Sequence, residues 1–325
     1  MRICNICEAH SLPINYKLLH LSPKIFMKKI NSEVSSLFHE QLVHWELART
    51  NYNGLKTVQT KIFSFGNFNI QVQFNPARIV SSGAKMDAKT IAERKCFLCT
   101  ANLPAQQKGL DAGNYTVLVN PFPIFPEHFT IPCKEHIDQQ IKPYFADMLE
   151  LAEAMDEYAL FYNGPKCGAS APDHLHFQAG TKGFLPLISD YKKLKPTQGE
   201  LVEQGENYRL FSLKDYLRSV YCIESTTIES AKVVFEALYN EWQGEGTEEP
   251  MMNIICTFEK GTWYTFLIPR SHFRPWQFTA VGDNQLLVSP ATVEMSGIFI
   301  TPIQSHFDRI TKEDIISILE QSGKN

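Results

Sequence analysis

The sequence contains no run of about 18 apolar residues, so no transmembrane helix is expected. It has no strongly basic segment either. Its 31 Lys and Arg residues stand against 35 Asp and Glu, for a formal charge of -4, which argues against a nucleic-acid backbone as the primary partner. Any affinity for phosphate must come from a local pocket. The first 26 residues show no continuous apolar segment and no clear cleavage site, so no secretory signal is expected. Cysteine is scarce: eight residues in 325, scattered as Cys4, Cys7, Cys96, Cys99, Cys133, Cys167, Cys222 and Cys256. A chain of this length needs no covalent staples. A cytoplasmic, reduced protein with one metal site fits this pattern better than a disulfide framework.

The rest of the composition is that of an ordinary globular protein, with 44% hydrophobic and 20% charged residues. The length suits two domains, or one large domain built from two halves. Residues 1–26 show little organisation. Met27 opens a cleaner segment and is expected to be the biological start. Beyond it, Val34, Leu37, Phe38, Leu42 and Trp45 recur at helical spacing. Residues 56–75 alternate and predict a strand hairpin turning near Gly66-Asn67. A short helix, DAKTIAERK, should lead into Cys96-Phe97-Leu98-Cys99. Strands are expected at TVLVN, FTIP, ALFYN, HLHFQAG, MMNIICTF and WYTFLIP. The segment from Ile137 to Ala159 reads as a helix broken or restarted at Pro143. Further helices are expected at SAKVVFEALYNEWQ and at TKEDIISILEQS, the latter capped by Thr311. Ile131-Pro132 with His136, echoed by Ile268-Pro269 with His272, hints at an internal duplication.

Two motifs carry chemistry. In Asp173-His174-Leu175-His176-Phe177-Gln178, strand alternation puts His174, His176 and Gln178 on one face. The glycine-containing loop just before it, with Asn163, Gly164, Gly168, Ala169 and Ser170, can bring backbone N–H groups to a phosphate. A neutral imidazole facing such a cradle is placed to attack phosphorus. The plain alternative is polar residues facing solvent on an edge strand. The second motif, Cys96-x-x-Cys99, fits a redox pair, half a zinc site or two buried thiols. For zinc, His136 and His174 are the natural further ligands, with His128 as substitute for His136. A zinc-bound His174 would fix the position of His176 two residues on.

At these residues the sequence resembles the histidine triad superfamily, in its galactose-1-phosphate uridylyltransferase-like branch, which includes diadenosine tetraphosphate phosphorylases and GDP-hexose phosphorylases. The block YNGPKCGASAPDHLHFQAG carries the resemblance, with VLVNPFPIFPEHFTIP upstream and the CFLC pair, which is similar to the zinc motif of the uridylyltransferases. More loosely, IPRSHFRPWQF and LLVSPATVEMSGIFI resemble the second half of that branch, and the whole chain, FNPARIVSSGAK included, resembles a bacterial family of this group. The resemblance implies an α+β fold of two histidine-triad-like halves, antiparallel sheets with packed helices. Residues 27–190 would form the catalytic half and 191–325 a degenerate second half without its own His-x-His. It implies His176 as nucleophile and Gln178 as a phosphate-binding group. Asn163, Gly168, Ala169 and Ser170 would line the phosphate cradle, and Cys96, Cys99, His136 and His174 would hold a structural zinc ion. The expected activity is nucleotidyl transfer from a nucleoside-diphosphate sugar or a dinucleoside polyphosphate to phosphate or a sugar phosphate. A hexose-1-phosphate uridylyltransferase is the near alternative. A non-catalytic nucleotide-binding regulator is the alternative of another class, and a zinc-stabilised interaction module a third. Arg78 and Lys85, in the FNPARIVSSGAK loop, are charged candidates for phosphate contact or for plain solvation. Phe122, Ile124 and Phe129 could wall a base or simply belong to the core. Homodimers are common in the branch, and no feature of this sequence dictates one.

Overall fold

In the computed structural model, residues 28–79 and 88–324 are described. Met27, the Cys4–Cys7 pair and Lys85 therefore lie outside the described residues. The amphipathic segment forms two helices, α1 (Asn31–His44) and α2 (Glu46–Gly54). Trp45 separates them in an extended conformation and is itself buried. The expected hairpin follows as β1 (Gln59–Phe65) and β2 (Phe68–Phe74), closed at Gly66, whose φ of 74° suits glycine. A short helix, α3 (Ala88–Glu93), precedes the Cys96–Cys99 loop.

The remaining strands before the midpoint are β3 (Gly109–Ala112), β4 (Tyr115–Val119), β5 (His128–Pro132), β6 (Tyr158–Asn163) and β7 (His176–Thr181), with α4 (Phe145–Ala154) between β5 and β6. After α5 (Pro186–Gln198) come β8 (Gly199–Gln204), β9 (Tyr208–Leu213), β10 (Tyr221–Ser225), α6 (Ile228–Gln243), β11 (Met252–Glu259) and β12 (Thr262–Pro269). The chain closes with α7 (Trp276–Thr279), α8 (Thr292–Met295), β13 (Ile298–Thr301), α9 (Gln304–Arg309) and α10 (Lys312–Ser322). Thr311 caps α10 as expected, its hydroxyl accepting from the Asp314 amide.

Ten strands make one antiparallel sheet, in the order β3-β4-β5-β7-β6-β11-β12-β10-β9-β8. The order is symmetric about the β6–β11 pair. Outward from it, β7, β5, β4 and β3 on one side answer β12, β10, β9 and β8 on the other, and α4 answers α6. The fold is thus α+β with two like halves joined edge to edge. The Ile-Pro…His echo does not report this duplication. Ile131-Pro132 ends β5, whose counterpart is β10, whereas Ile268-Pro269 ends β12, whose counterpart is β7.

Alternation divides the sheet into two faces, each buried. Phe129, Ile131, Leu160, Tyr162, Phe177, Ala179, Ile254 and Cys256 share one core with α1, α2, α4 and α6. Phe161 and Ile255 point the other way, into a core closed by α5, α10 and the small sheet β1-β2-β13, in which β13 runs parallel to β2. Phe129 is therefore core on the face opposite His176 and does not wall a base. The stretch from Ile137 to Ile141 is not helical. It precedes a single tight turn at Lys142–Tyr144, and α4 begins only at Phe145, beyond Pro143.

Candidate active site

The site forms where β6 and β7 part company. They pair as far as Phe161 and Gln178. Beyond that point the chains diverge, and the amide of Gln139 fills the gap. Its Nε2 donates to the carbonyls of Asn163 at 2.9 Å and His176 at 3.1 Å, while its Oε1 accepts from the His176 amide at 2.8 Å. Gln139 is 1% exposed. One buried amide thus satisfies three backbone groups that the sheet no longer pairs.

His176 is buried at the start of β7. Its Nδ1 lies 2.8 Å from the His174 carbonyl. A carbonyl only accepts, so Nδ1 carries the ring proton and Nε2 keeps its lone pair. Burial pushes the His176 pKa down to about 4, with the neighbouring His174 and Arg94 acting the same way against the hydrogen bond. The ring is neutral at physiological pH, the form that can attack an electrophile.

Gln178 lies two residues further along the same face, and its orientation is set by His128. The Ile124 amide donates to His128 Nδ1 at 3.3 Å, so His128 carries its proton on Nε2 and donates to Gln178 Oε1 at 3.0 Å. Tyr52 locks His128 from behind: its hydroxyl donates to the His128 carbonyl at 2.9 Å and accepts from the His128 amide at 3.2 Å. His128 is fully buried, and burial pushes its pKa down to about 3. With Oε1 engaged, Gln178 has its Nε2 donor left for a ligand. His128 is therefore not the substitute metal ligand that the spacing allows.

The loop from Gly164 to Ala171 covers this end of the strands. Gly168 has φ +98°, and a Cβ there would lie 2.4 Å from the Cβ of Ala291, so the loop packs backbone-close against the segment before α8. Ala169 is buried and Ser170 exposed. Asn163, at the end of β6, is 5% exposed. Its Oδ1 accepts from Asn253 Nδ2 at 2.9 Å, from the Thr292 amide at 2.9 Å and from the Thr292 hydroxyl at 2.7 Å. Arg78 follows β2 in a turn and donates from Nη1 to the Phe122 carbonyl at 2.7 Å. Its buried Nε has no partner among the described residues. Buried Glu294 lies in its field.

Cys96, Cys99, His136 and His174 converge, their ligand atoms all within 4.8 Å of one another. Cys96 Sγ lies 3.2 Å from His174 Nδ1, Cys99 Sγ 3.2 Å from His136 Nδ1 and 3.6 Å from His174 Nδ1. A tetrahedral zinc site, with Zn–S near 2.3 Å and Zn–N near 2.0 Å, places its ligand atoms roughly 3.3–3.8 Å apart. The donor chemistry also fits. His174 Nε2 donates to the Cys133 carbonyl at 2.8 Å, which leaves Nδ1 as the atom turned to the sulfurs. The cluster can hold a metal ion. His174 thus serves both places: its ring joins the cluster and its carbonyl fixes the His176 tautomer. Arg94, paired with Asp173, bridges the two places in sequence, with a buried Nη1 that has no partner among the described residues.

The motif residues His174, His176, Gln178 and Asn163, the glycine loop and the Cys–His set thus gather at one end of the sheet. Gln139, Arg94, Asn253, Arg270 and Thr292 also take part, and no motif announces them. Gln139 lies in a stretch patterned like a helix, and the last three come from the second half of the chain.

Residues 37–181 match a family described as a domain of unknown function (DUF4922). No curated protein matches the chain at a significant level. Among solved structures, yeast Ap4A phosphorylase Apa2 in complex with Ap4A superposes with a TM-score of 0.62 at 16% identity, covering 90% of this chain and 97% of that one. The same yeast enzyme without that ligand gives 0.58 at 16% identity, covering 91% and 97%. Its complex with AMP gives 0.55 at 17% identity, covering 90% and 97%. Over 90% of its length, this chain has the fold of yeast Ap4A phosphorylase.

Proposed function

We propose that the protein is a nucleotidyltransferase that works through a covalent nucleotidyl-histidine at His176, with a dinucleoside polyphosphate as donor and phosphate as acceptor. The observation that carries this reading is the hydrogen bond from His176 Nδ1 to the His174 carbonyl, which leaves a neutral ring whose Nε2 lone pair has no hydrogen-bond partner among the described residues. The fold shared with an Ap4A phosphorylase supports the choice of donor.

In the first step Nε2 attacks the α-phosphorus. The N–P bond forms, and the bridging P–O bond breaks with its electron pair leaving on the departing phosphate chain. In the second, an oxygen of the acceptor phosphate attacks the same phosphorus, the N–P bond breaks and the neutral ring returns. Two displacements replace one difficult one. The Gln178 amide, the Asn163 amide and the backbone of Gly168, Ala169 and Ser170 donate to the oxygens that gain charge. Arg78, whose charge is felt by His128 and Glu294, adds positive charge near the site; Lys85 lies outside the described residues. Cys96, Cys99, His136 and His174 would hold zinc. Bound there, the ion supplies rigidity, holding His174 and with it the carbonyl that sets the His176 tautomer.

Intact-protein mass spectrometry tests this. The protein is incubated briefly with Ap4A, and separately with UDP-, GDP- and ADP-sugars, without acceptor. An acid-labile gain of one nucleoside monophosphate, absent in His176→Ala, is the expected result. An adduct from a UDP-sugar alone would make the protein a uridylyltransferase. No adduct from any donor, with nucleotide still bound, would make it a binding protein.

A further inference from the structure

Asn163 belongs to the first half of the chain, yet its side-chain oxygen is held entirely by the second. Three donors converge on Oδ1: one from Asn253 on β11, and the amide and hydroxyl of Thr292 at the start of α8. The Thr292 amide can only donate, so the acceptor opposite must be oxygen and the Asn163 amide cannot flip. The Thr292 hydroxyl has a single proton, which lies between Asn163 Oδ1 at 2.7 Å and the Tyr162 carbonyl at 2.9 Å.

Asn253 is held in turn. Its Nδ2 also donates to the Cys167 carbonyl in the glycine loop at 2.8 Å, and its Oδ1 accepts from Arg270 Nη1 at 2.6 Å. Arg270 is 3% exposed and carries no carboxylate partner among the described residues. It instead donates to the carbonyls of Pro290, Ser322 and His272, at 3.0, 2.8 and 3.0 Å. Asn253 and Thr292 are fully buried. A buried guanidinium is costly, and this one is satisfied only because the chain ends at 269–273, 290 and 322 are gathered around it.

We infer that the second half is a working part of the phosphate site. Arg270, Asn253 and Thr292 are positioning residues that turn the Asn163 amide so that Nδ2, which donates to no described residue, is the atom offered to a substrate phosphate. The arrangement also ties the glycine loop to that amide through Cys167 and through the close approach of Gly168 to Ala291. The inference rests on the nucleotidyl-transfer reading and extends it, because it gives the half without a His-x-His a defined task.

The test is a double-mutant cycle on the full chain: wild type, Thr292→Val, Asn163→Ala and the double variant. Thr292→Val keeps the shape and removes the hydroxyl; Thr292→Ser serves as rescue. The readout is the rate of nucleotidyl adduct formation with Ap4A, with the melting temperature as a check on folding. We expect Thr292→Val to slow adduct formation about tenfold, Thr292→Ser to restore it, and Thr292→Val to add nothing in the Asn163→Ala background. Equal slowing in both backgrounds, or none in either, overturns the inference and leaves the reading intact. If the wild type forms no adduct, that reading fails. The same cycle is then read as AMP affinity by calorimetry. Loss of affinity confined to the Asn163 background sustains the clamp; equal affinities, or no AMP binding by wild type, overturn it too.

Discussion

His128 Nε2 stands 3.0 Å from Gln178 Oε1, and with Ile124 donating to the other ring nitrogen, the direction of that hydrogen bond is fixed. Gln178, two residues along the strand from His176, is thereby forced to present its Nε2 donor away from His128. His128 stays neutral down to about pH 3, so the relay is intact across the whole range in which a protein of this kind is assayed.

His128→Phe should therefore act through Gln178. It keeps an aromatic ring among Phe125 and Phe161, both of which pack on His128, but frees the Gln178 amide to rotate. Adduct formation should fall by about 10- to 100-fold, in kcat more than in KM, because the lost donor matters most as charge builds. Gln178→Glu, which replaces the outward donor by a charged acceptor, should fall further. A His128→Phe variant with unchanged kcat would show that Gln178 needs no such guide.

Gly168→Ala should damage the loop in two ways. Its φ of +98° costs an alanine about 1–3 kcal/mol, and the new Cβ would collide with Ala291. Gly183, with φ +85° and open space around its Cβ position, is the control for the first effect. We expect Gly183→Ala to lower stability modestly and leave adduct formation unchanged, and Gly168→Ala to lower both. Adding Ala291→Gly should restore part of the loss. Equal thermal shifts for the two alanine variants would mean that the loop and the Ala291 segment are not in contact.

Much of this was legible in the sequence because it is local. His174, His176 and Gln178 share a face by strand alternation, and the glycine loop precedes them directly. Cys96 and Cys99 needed only two histidines, and His136 and His174 came to them. The hairpin, the strands from β4 to β7 and the helix capped by Thr311 follow from period and turn residues. What was not legible is long-range or irregular. Thr292 reaches Asn163 across 129 positions, through a sheet whose symmetry is not written in any repeat. Gln139 was hidden because its segment reads as a helix, and only the divergence of β6 from β7 gives its amide a task. The Ile-Pro…His echo paired strands that are not counterparts. Phe129 looked free to meet a base, and its register turns it to the other core.

Metal content separates the two histidine roles. Purified protein should carry about one zinc ion per chain, and Cys96→Ser or His136→Ala should lose it and melt lower. His128→Phe should keep it, since His128 belongs to the Gln178 relay. Adduct formation should weaken with metal loss even in chains that remain folded, because the His174 carbonyl is then free to shift away from His176 Nδ1. Full zinc content in both Cys96→Ser and His136→Ala would show that the ion sits elsewhere.

Glu294 supplies a prediction about pH. Burial pushes its pKa up to about 7, against the stabilising pull of the Ala291 amide and of Arg78. The folded protein therefore holds this proton more tightly than the unfolded chain, whose carboxyl titrates near its ordinary value of 4.5. The sign follows directly. The contribution to stability is fully present below about pH 4.5 and declines as pH rises towards 7. Above that, the buried carboxylate is a standing cost. A shift of this size corresponds to up to about 3 kcal/mol. Glu294→Gln keeps an acceptor for the Ala291 amide and removes the titration. It should raise stability at pH 8, by denaturant unfolding, and change it little at pH 4.5. Half-buried Glu249 is also pushed up to about 7 and remains in both proteins, so the comparison isolates Glu294. If Glu294→Gln is instead less stable at pH 8, then the attraction of the Arg78 charge outweighs burial, and the carboxylate is the form the fold requires.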